Sequence, residues 1–119
     1  MFNRLSDLVN GDADLVRRGQ YLTATFIIGI GDTDWLIEIR EGQVATVQPE
    51  PALMTPSQFS IRASENAWQE FWQPVPLPGF HDIFAMTKSG DATVEGDFQP
   101  FMANLRYFKD LLAAPRGQI

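Results

Sequence analysis

The fold is decided by residues 80–112, which read FHDIFAMTKSGDATVEGDFQPFMANLRYFKDLL. The spacing of the apolar residues predicts a short helix that ends at residue 88, a turn, a last strand within 91–96 and a long helix over 97–114. Both helices carry aromatic and methionine side chains at i, i+3, i+4 spacing. They therefore need a broad apolar surface to lie on, and the preceding part of the chain must supply it.

A predicted β-meander over residues 20–63 can supply that surface. In its first strand, Leu22, Phe26 and Ile28 alternate with smaller or more polar residues, and this alternation is typical of a half-buried strand. Glycine and aspartate residues between the apolar runs predict tight turns. The predicted strands are residues 21–30, 35–40, 43–48 and 58–63, with a proline-containing loop at 49–56.

Helices are predicted on both sides of the meander. Residues 1–19 have the apolar spacing of two short helices. In the segment 64–88, Ser64 is a good N-cap for a helix that carries Trp68. The prolines of the connector 74–79 rule out helix there. A second helix follows this connector.

The length and the order of these elements predict one α+β domain over residues 1–119. Hairpin connections favour a five-stranded, mostly antiparallel sheet. Because the helices gather at the two ends of the chain and in one block between strands, we expect them to cover one face of that sheet.

The charge and the cysteine content exclude several classes of protein. Nine basic residues stand against fifteen acidic residues, which gives a net charge of -6, so binding to a nucleic-acid backbone is not expected. The absence of cysteine excludes disulfides and favours a cytoplasmic location. The longest apolar run is much shorter than the roughly 20 residues of a membrane-spanning helix, so no integral membrane segment is expected.

The sequence offers little that resembles an active site. His81 is the one histidine, so a zinc site is not expected. No serine lies in a Gly-x-Ser-x-Gly elbow, and the Gly29-Ile30-Gly31 run precedes a hairpin instead of a phosphate-binding helix. Glu38 and Glu95 are the carboxylates within predicted strands, and solvent exposure is expected for both. We therefore expect no catalytic residue, no metal, no cofactor and no enzymatic activity.

The apolar helices are the remaining functional signal. Aromatic residues make up 12% of the chain and concentrate between residues 59 and 108. Large rings and methionine pack less regularly than leucine and valine, and an apolar pocket with few polar groups suits a lipid-like ligand. These side chains form either a filled core or the wall of a cavity, and the residues alone leave both interpretations open.

The pattern of residues 20–114 resembles the sterol carrier protein family, the type-two lipid-transfer domain. A meander and a fourth strand run into Ser64-Glu65 and a tryptophan-bearing helix. The helix 80–87 leads into the turn-strand-turn segment SGDATVEGD at 89–97. An apolar helix follows the Gly-Asp corner. The connector 74–79 departs from the family, whose members commonly have a shorter, glycine-containing link.

The resemblance implies a sheet covered by helices, with an apolar tunnel between the two layers. In this family the tunnel takes sterols, fatty acids or fatty acyl chains, and the domain is not itself catalytic. We therefore expect the chain to bind or transfer a hydrophobic small molecule or lipid. The residues expected to line the tunnel are Phe26, Ile28, Phe59, Ile61, Trp68, Phe84, Met102, Leu105 and Phe108.

Two other hypotheses are compatible with the sequence. In the first, the same fold has a filled core and acts as a homodimer or as the accessory domain of a partner enzyme, with exposed aromatic residues at 71–80 as the interface. In the second, the chain is a small enzyme that resembles the cone-fold isomerases related to nuclear transport factor. The second hypothesis requires strands at the C-terminus, where this sequence predicts a helix.

Overall fold

The computed structural model describes residues 4–52 and 55–117. Its centre is a five-stranded sheet in the order β3-β2-β1-β4-β5. The β1–β2, β2–β3 and β4–β5 pairs are antiparallel, and the β1–β4 pair is parallel. The fold is therefore α+β with a mixed, mostly antiparallel sheet, as predicted. The strands are β1 (Thr23–Ile30), β2 (Thr33–Arg40), β3 (Gln43–Pro49), β4 (Phe59–Ala63) and β5 (Ala92–Gly96).

Six helices accompany the strands within the described residues. Two short helices precede the sheet, two lie between β4 and β5, and two follow β5. The cone-fold hypothesis required strands at this last position, so the helices contradict it. The helices are α1 (Leu5–Asn10), α2 (Ala13–Arg18), α3 (Glu65–Phe71), α4 (Ile83–Ser89), α5 (Gln99–Ala103) and α6 (Leu105–Ala113).

The strand register separates an apolar face of the sheet from a more polar face. Phe26 of β1 lies between Ile37 of β2 and Phe59 of β4, and all three side chains are buried. On the opposite face of the sheet, residues of β1 have polar neighbours. Gly29, for example, lies beside Arg62 of β4. The apolar face carries the helices, because alternate residues of every strand point to it.

The helix boundaries differ from the sequence-based prediction at two places. Helix α4 begins at Ile83 instead of residue 80, because the carboxylate of Asp82 accepts a 2.9 Å hydrogen bond from the backbone N–H of Phe84 and caps the helix. The predicted continuous helix over 97–114 is interrupted at Asn104, whose φ of −127° and ψ of 42° are not helical. The apolar spacing continued across Asn104, and therefore did not reveal the break.

Buried indole groups tie the helices to the rest of the core. The Nε1–H group of Trp68 donates a 2.8 Å hydrogen bond to the carbonyl oxygen of Gly29 in β1. The Nε1–H group of Trp72 donates a bond of the same length to the carbonyl oxygen of Leu112 in α6. The two rings stack with centroids 5.2 Å apart. The tryptophan-bearing helix thus contacts both the sheet and the final helix. In the part of the chain that the structure describes, no helix is long and apolar enough to cross a membrane.

Candidate functional site

A layer of phenylalanine rings lies between the sheet and the last two helices. Phe26 and Phe59 come from the neighbouring strands β1 and β4, and their rings stack with centroids 5.0 Å apart. Phe108 of α6 meets both rings edge-on, at 5.5 and 5.6 Å. Phe101 of α5 lies 5.1 Å from Phe108 and extends the layer. We call these four residues the phenylalanine layer.

Most of the residues expected to line a tunnel are in the core around this layer. Phe26, Ile28, Phe59, Ile61, Trp68 and Phe108 are buried, and Phe84 and Leu105 are partly buried and pack against the same cluster. The phenylalanine rings are in contact with one another, so a ligand would have to displace them. Met102 differs from the others, since 51% of its surface is exposed.

The position of Met102 follows from the break in the last helix. Phe101 and Met102 lie in α5, before Asn104, whereas Leu105 and Phe108 lie in α6. An uninterrupted helix would have aligned Met102 with Leu105 on one face. With the break, Phe101 is fully buried and Met102 faces outward.

The aromatic residues expected to form an exposed interface near 71–80 are mostly in the core. Phe71 and Trp72 are each 3% exposed, and Phe80 is partly buried. The prediction that they are exposed was therefore wrong. The connector itself presents aliphatic side chains to solvent, with Val75 at 85% and Leu77 at 56% exposure.

A pocket that the sequence analysis did not find lies between α3, α4 and the end of α6. It has a volume of about 160 Å³. Its lining combines apolar and charged residues, so we call it the amphipathic pocket. The lining residues are Phe71, Ile83 and Ala113 together with His81, Asp82, Lys109, Asp110 and Arg116.

Most of the charges in the amphipathic pocket are paired. The Nζ atom of Lys109 lies 3.0 Å from Oδ2 of Asp82 and 5.2 Å from the centroid of the Phe84 ring. Burial alone would raise the pKa of Asp82, but the N–H of Phe84 and the ammonium of Lys109 lower it overall. Asp110 is paired with Arg18 from outside the pocket, at 2.5 Å between Nη1 and Oδ2.

Arg116 lacks such a carboxylate. Its Nε–H donates a 2.9 Å hydrogen bond to the carbonyl oxygen of Phe71, and its guanidinium lies 4.8 Å from the centroid of the Phe71 ring. A longer bond of 3.4 Å runs from Nη2 to the carbonyl oxygen of His81. Burial lowers the pKa of Arg116, and among residues 4–52 and 55–117 no carboxylate lies within ion-pair distance of it. Lys109 and Arg116 are seven residues apart near the C-terminus, and this spacing was the available sequence signal for two basic residues in one pocket.

Neither carboxylate considered in the sequence analysis has the surroundings of a catalytic base. Oε1 of Glu38 is buried without a hydrogen-bond partner, contrary to the expected exposure, and forms an ion pair with Nη2 of Arg40 at 2.6 Å. Glu95 is exposed. No cluster of histidine and carboxylate side chains that could hold a metal is present among the described residues.

Comparison with solved structures identifies the fold. No protein-family model matches the sequence, and no curated protein matches it. A crystal structure of sterol carrier protein 2 is 12% identical, has a TM-score of 0.73, and covers 95% of this chain and 91% of its own. A conserved hypothetical protein from Thermus thermophilus, suggested to be a sterol carrier protein, is 10% identical with a TM-score of 0.67, covering 98% of this chain and 87% of its own.

A third similar structure is part of a much longer enzyme. The stereoselective inverting sec-alkylsulfatase Pisa1 from Pseudomonas sp. is 14% identical with a TM-score of 0.60, and the match covers 90% of this chain but 16% of the sulfatase. The same arrangement of helices and strands therefore occurs both in short chains and within a long one. At these identities the likeness shows the fold, and this chain has the sterol carrier protein 2 type of fold.

Proposed function

We propose that the protein binds a hydrophobic ligand, without changing it chemically, between the sheet and the final helices. The class of ligand is a fatty acid, a fatty acyl chain or a sterol-like lipid. The observation that carries the proposal is the phenylalanine layer, which places four large apolar rings beneath a final helix that is broken in two. The likeness to sterol carrier protein 2 agrees with this assignment.

The ligand enters when α5 moves away from the sheet. Helix α5 has five residues, and such a short helix depends on tertiary packing for its stability. The break at Asn104 separates it from α6. The two helices therefore need not move as one rigid rod, and displacing α5 exposes Phe101 and Phe59.

Partition from water provides the binding energy. Each methylene group transferred from water to an apolar site contributes about 0.8 kcal/mol. A chain of moderate length therefore gains enough to replace the ring contacts that it disrupts. Phe26, Ile28, Phe59, Ile61 and Phe108 contact the chain in this arrangement, with Trp68, Phe84 and Leu105 at its margin. Met102 reaches the ligand when α5 turns.

Fluorescence quenching tests the proposal. Purified protein is first extracted with organic solvent, and the extract is examined for co-purifying lipid by mass spectrometry. The delipidated protein is then titrated with a fatty acid brominated in mid-chain and, as the matched control, with the same acid without bromine. We expect saturable quenching of buried Trp68 by the brominated acid. Absence of both lipid and quenching would contradict the proposal.

A second candidate function is that of an accessory or dimerisation domain. The specific observation in its favour is the exposed pair Val75 and Leu77 on the connector between α3 and α4. A match to part of a long sulfatase chain agrees with such a role. Sedimentation of the wild type and of a Val75→Ser, Leu77→Ser variant tests it. A dimer that dissociates in the variant supports the role, and a monomeric wild type opposes self-association.

A further inference from the structure

We propose that the amphipathic pocket binds the carboxylate head group of an acidic amphiphile, with Arg116 as its anchor. This inference rests on the proposed function and names the ligand class more narrowly. It favours a fatty acid over a neutral sterol or an esterified acyl chain. Three features of the pocket support it: the pairing of its charges, the available donors of Arg116 and the apolar residues in its lining.

Most of the charged residues that line the pocket already have a partner. Lys109 is paired with Asp82 at 3.0 Å, and Asp110 is paired with Arg18 at 2.5 Å. The two acidic and two basic lining residues balance formally, but Asp82 and Asp110 are engaged by Lys109 and Arg18. Arg116 is therefore the lining cation without a carboxylate partner among the described residues. A chain with a net charge of -6 repels anions over most of its surface, so such a cation in a recess is a selective feature.

Contacts with Phe71 orient the guanidinium group of Arg116. Its Nε–H is occupied by the carbonyl oxygen of Phe71, and the ring of Phe71 lies against the guanidinium. These contacts hold the planar group in one orientation at the pocket wall. Nη2 also donates a longer, 3.4 Å hydrogen bond to the carbonyl oxygen of His81. The other N–H groups have no carboxylate partner in the described chain, so they are available to an anion. A carboxylate matches the two parallel donors of a guanidinium better than a point charge does.

The apolar lining residues of the pocket accommodate the first carbon atoms of the ligand. Ile83 and Phe71 are buried members of the hydrophobic core, and Ala113 lies beside them. The volume of about 160 Å³ is comparable to a cavity of roughly 150 Å³ that accepts benzene. It therefore holds a carboxylate with several attached carbon atoms, and the rest of the amphiphile extends beyond it.

A comparison of an acid with its alcohol tests this inference. The dissociation constants of dodecanoate and dodecanol are measured by calorimetry for the wild type, for Arg116→Gln and for Arg17→Gln. Arg17 is a surface arginine paired with Asp14, so its replacement removes the same charge outside the pocket. We expect dodecanoate affinity to fall by roughly 10- to 100-fold in Arg116→Gln, with dodecanol affinity unchanged and Arg17→Gln like the wild type.

A second variant keeps the test decisive where Arg116→Gln does not fold. Arg116→Lys retains the positive charge and a long side chain but lacks the two parallel donors of a guanidinium. We expect its preference for the acid over the alcohol to be weaker than that of the wild type. If the ratio of the dissociation constants of dodecanoate and dodecanol is the same in the wild type and in all variants, the inference is overturned and the proposed function stays intact. Failure of the wild type to bind either compound would overturn both.

Discussion

The hydroxyl group of Tyr107 donates a 2.6 Å hydrogen bond to the carbonyl oxygen of Gly42. This bond joins α6 to the turn between β2 and β3, although the two residues are 65 positions apart in the sequence. The ring of Tyr107 also lies so close to Gly19 that a Cβ atom added there would overlap its Cε1 atom. The final helix is therefore fastened at this point, and α5 is the part that is free to move in the proposed binding mechanism.

Replacement of Tyr107 by phenylalanine tests this attachment. The variant keeps the buried ring but leaves the carbonyl oxygen of Gly42 without the hydroxyl donor. We expect the free energy of unfolding to fall by about 1–2 kcal/mol, measured by urea denaturation. Tyr21→Phe is the matched control, because Tyr21 is 94% exposed, and it should change little. Equal stability of Tyr107→Phe and Tyr21→Phe would contradict the role of this bond.

The ionisation of Tyr107 gives a second, independent test. Burial raises the pKa of Tyr107 from 10.0 to about 12. Because the pKa of Tyr107 is higher in the folded state than in the unfolded state, folding favours the protonated hydroxyl. The stability that this difference contributes is fully present below the unfolded pKa of 10.0 and is lost as the pH rises toward 12. In a Tyr21→Phe variant, tyrosinate absorbance should therefore appear with a midpoint near 12. A midpoint near the ordinary tyrosine value would show that the hydroxyl is accessible to water.

Gly42 should not tolerate a side chain. It has a positive φ of 82°, and an added Cβ would overlap the carbonyl oxygen of Val16. Gly90 also has a positive φ, of 88°, but nothing lies within 4 Å of an added Cβ. We expect Gly90→Ala to cost about 1–2 kcal/mol for the left-handed backbone alone, and Gly42→Ala to cost clearly more, as measured by urea denaturation. Similar losses in both variants would contradict the close packing of α2 on this turn.

Replacing Phe59 of the phenylalanine layer by alanine should destabilise the protein far more than replacing Met102. Phe59 is 2% exposed and contacts rings from β1, α5 and α6. Truncating it to alanine should reduce the free energy of unfolding by about 3–5 kcal/mol. Met102 is 51% exposed, so Met102→Ala should change stability by less than about 1 kcal/mol. A large loss in Met102→Ala would show that this side chain is part of the core.

The order of helices and strands could be predicted because its signals are local. Alternation in residues 21–30 predicted β1 and the burial of Phe26 and Ile28. Ser64 indicated the start of α3, and its side chain does accept a hydrogen bond from the N–H of Ala67. Asp82 before an apolar run was an equally local signal for the start of α4, and it was overlooked.

The amphipathic pocket could not be predicted in the same way, because it depends on long-range contacts. Phe71 and Arg116 are 45 positions apart, and their contact brings the end of the chain against α3. The parallel pairing of β1 with β4 is likewise non-local, since no turn connects the two strands. The break at Asn104 has no proline or glycine to mark it. Tertiary packing that turns Phe101 inward accompanies the break, and apolar spacing alone does not report it.

In the proposed function, a hydrophobic ligand binds between the sheet and the final helices. The most direct measurement is paramagnetic relaxation in NMR spectra of the delipidated protein, with methyl-labelled isoleucine, valine and leucine and a fatty acid spin-labelled in mid-chain. We expect saturable broadening of the methyl signals of Ile28 and Ile61, with Val75 and Leu77 unaffected. Broadening of Val75 and Leu77 alone, or no broadening at all, would contradict it.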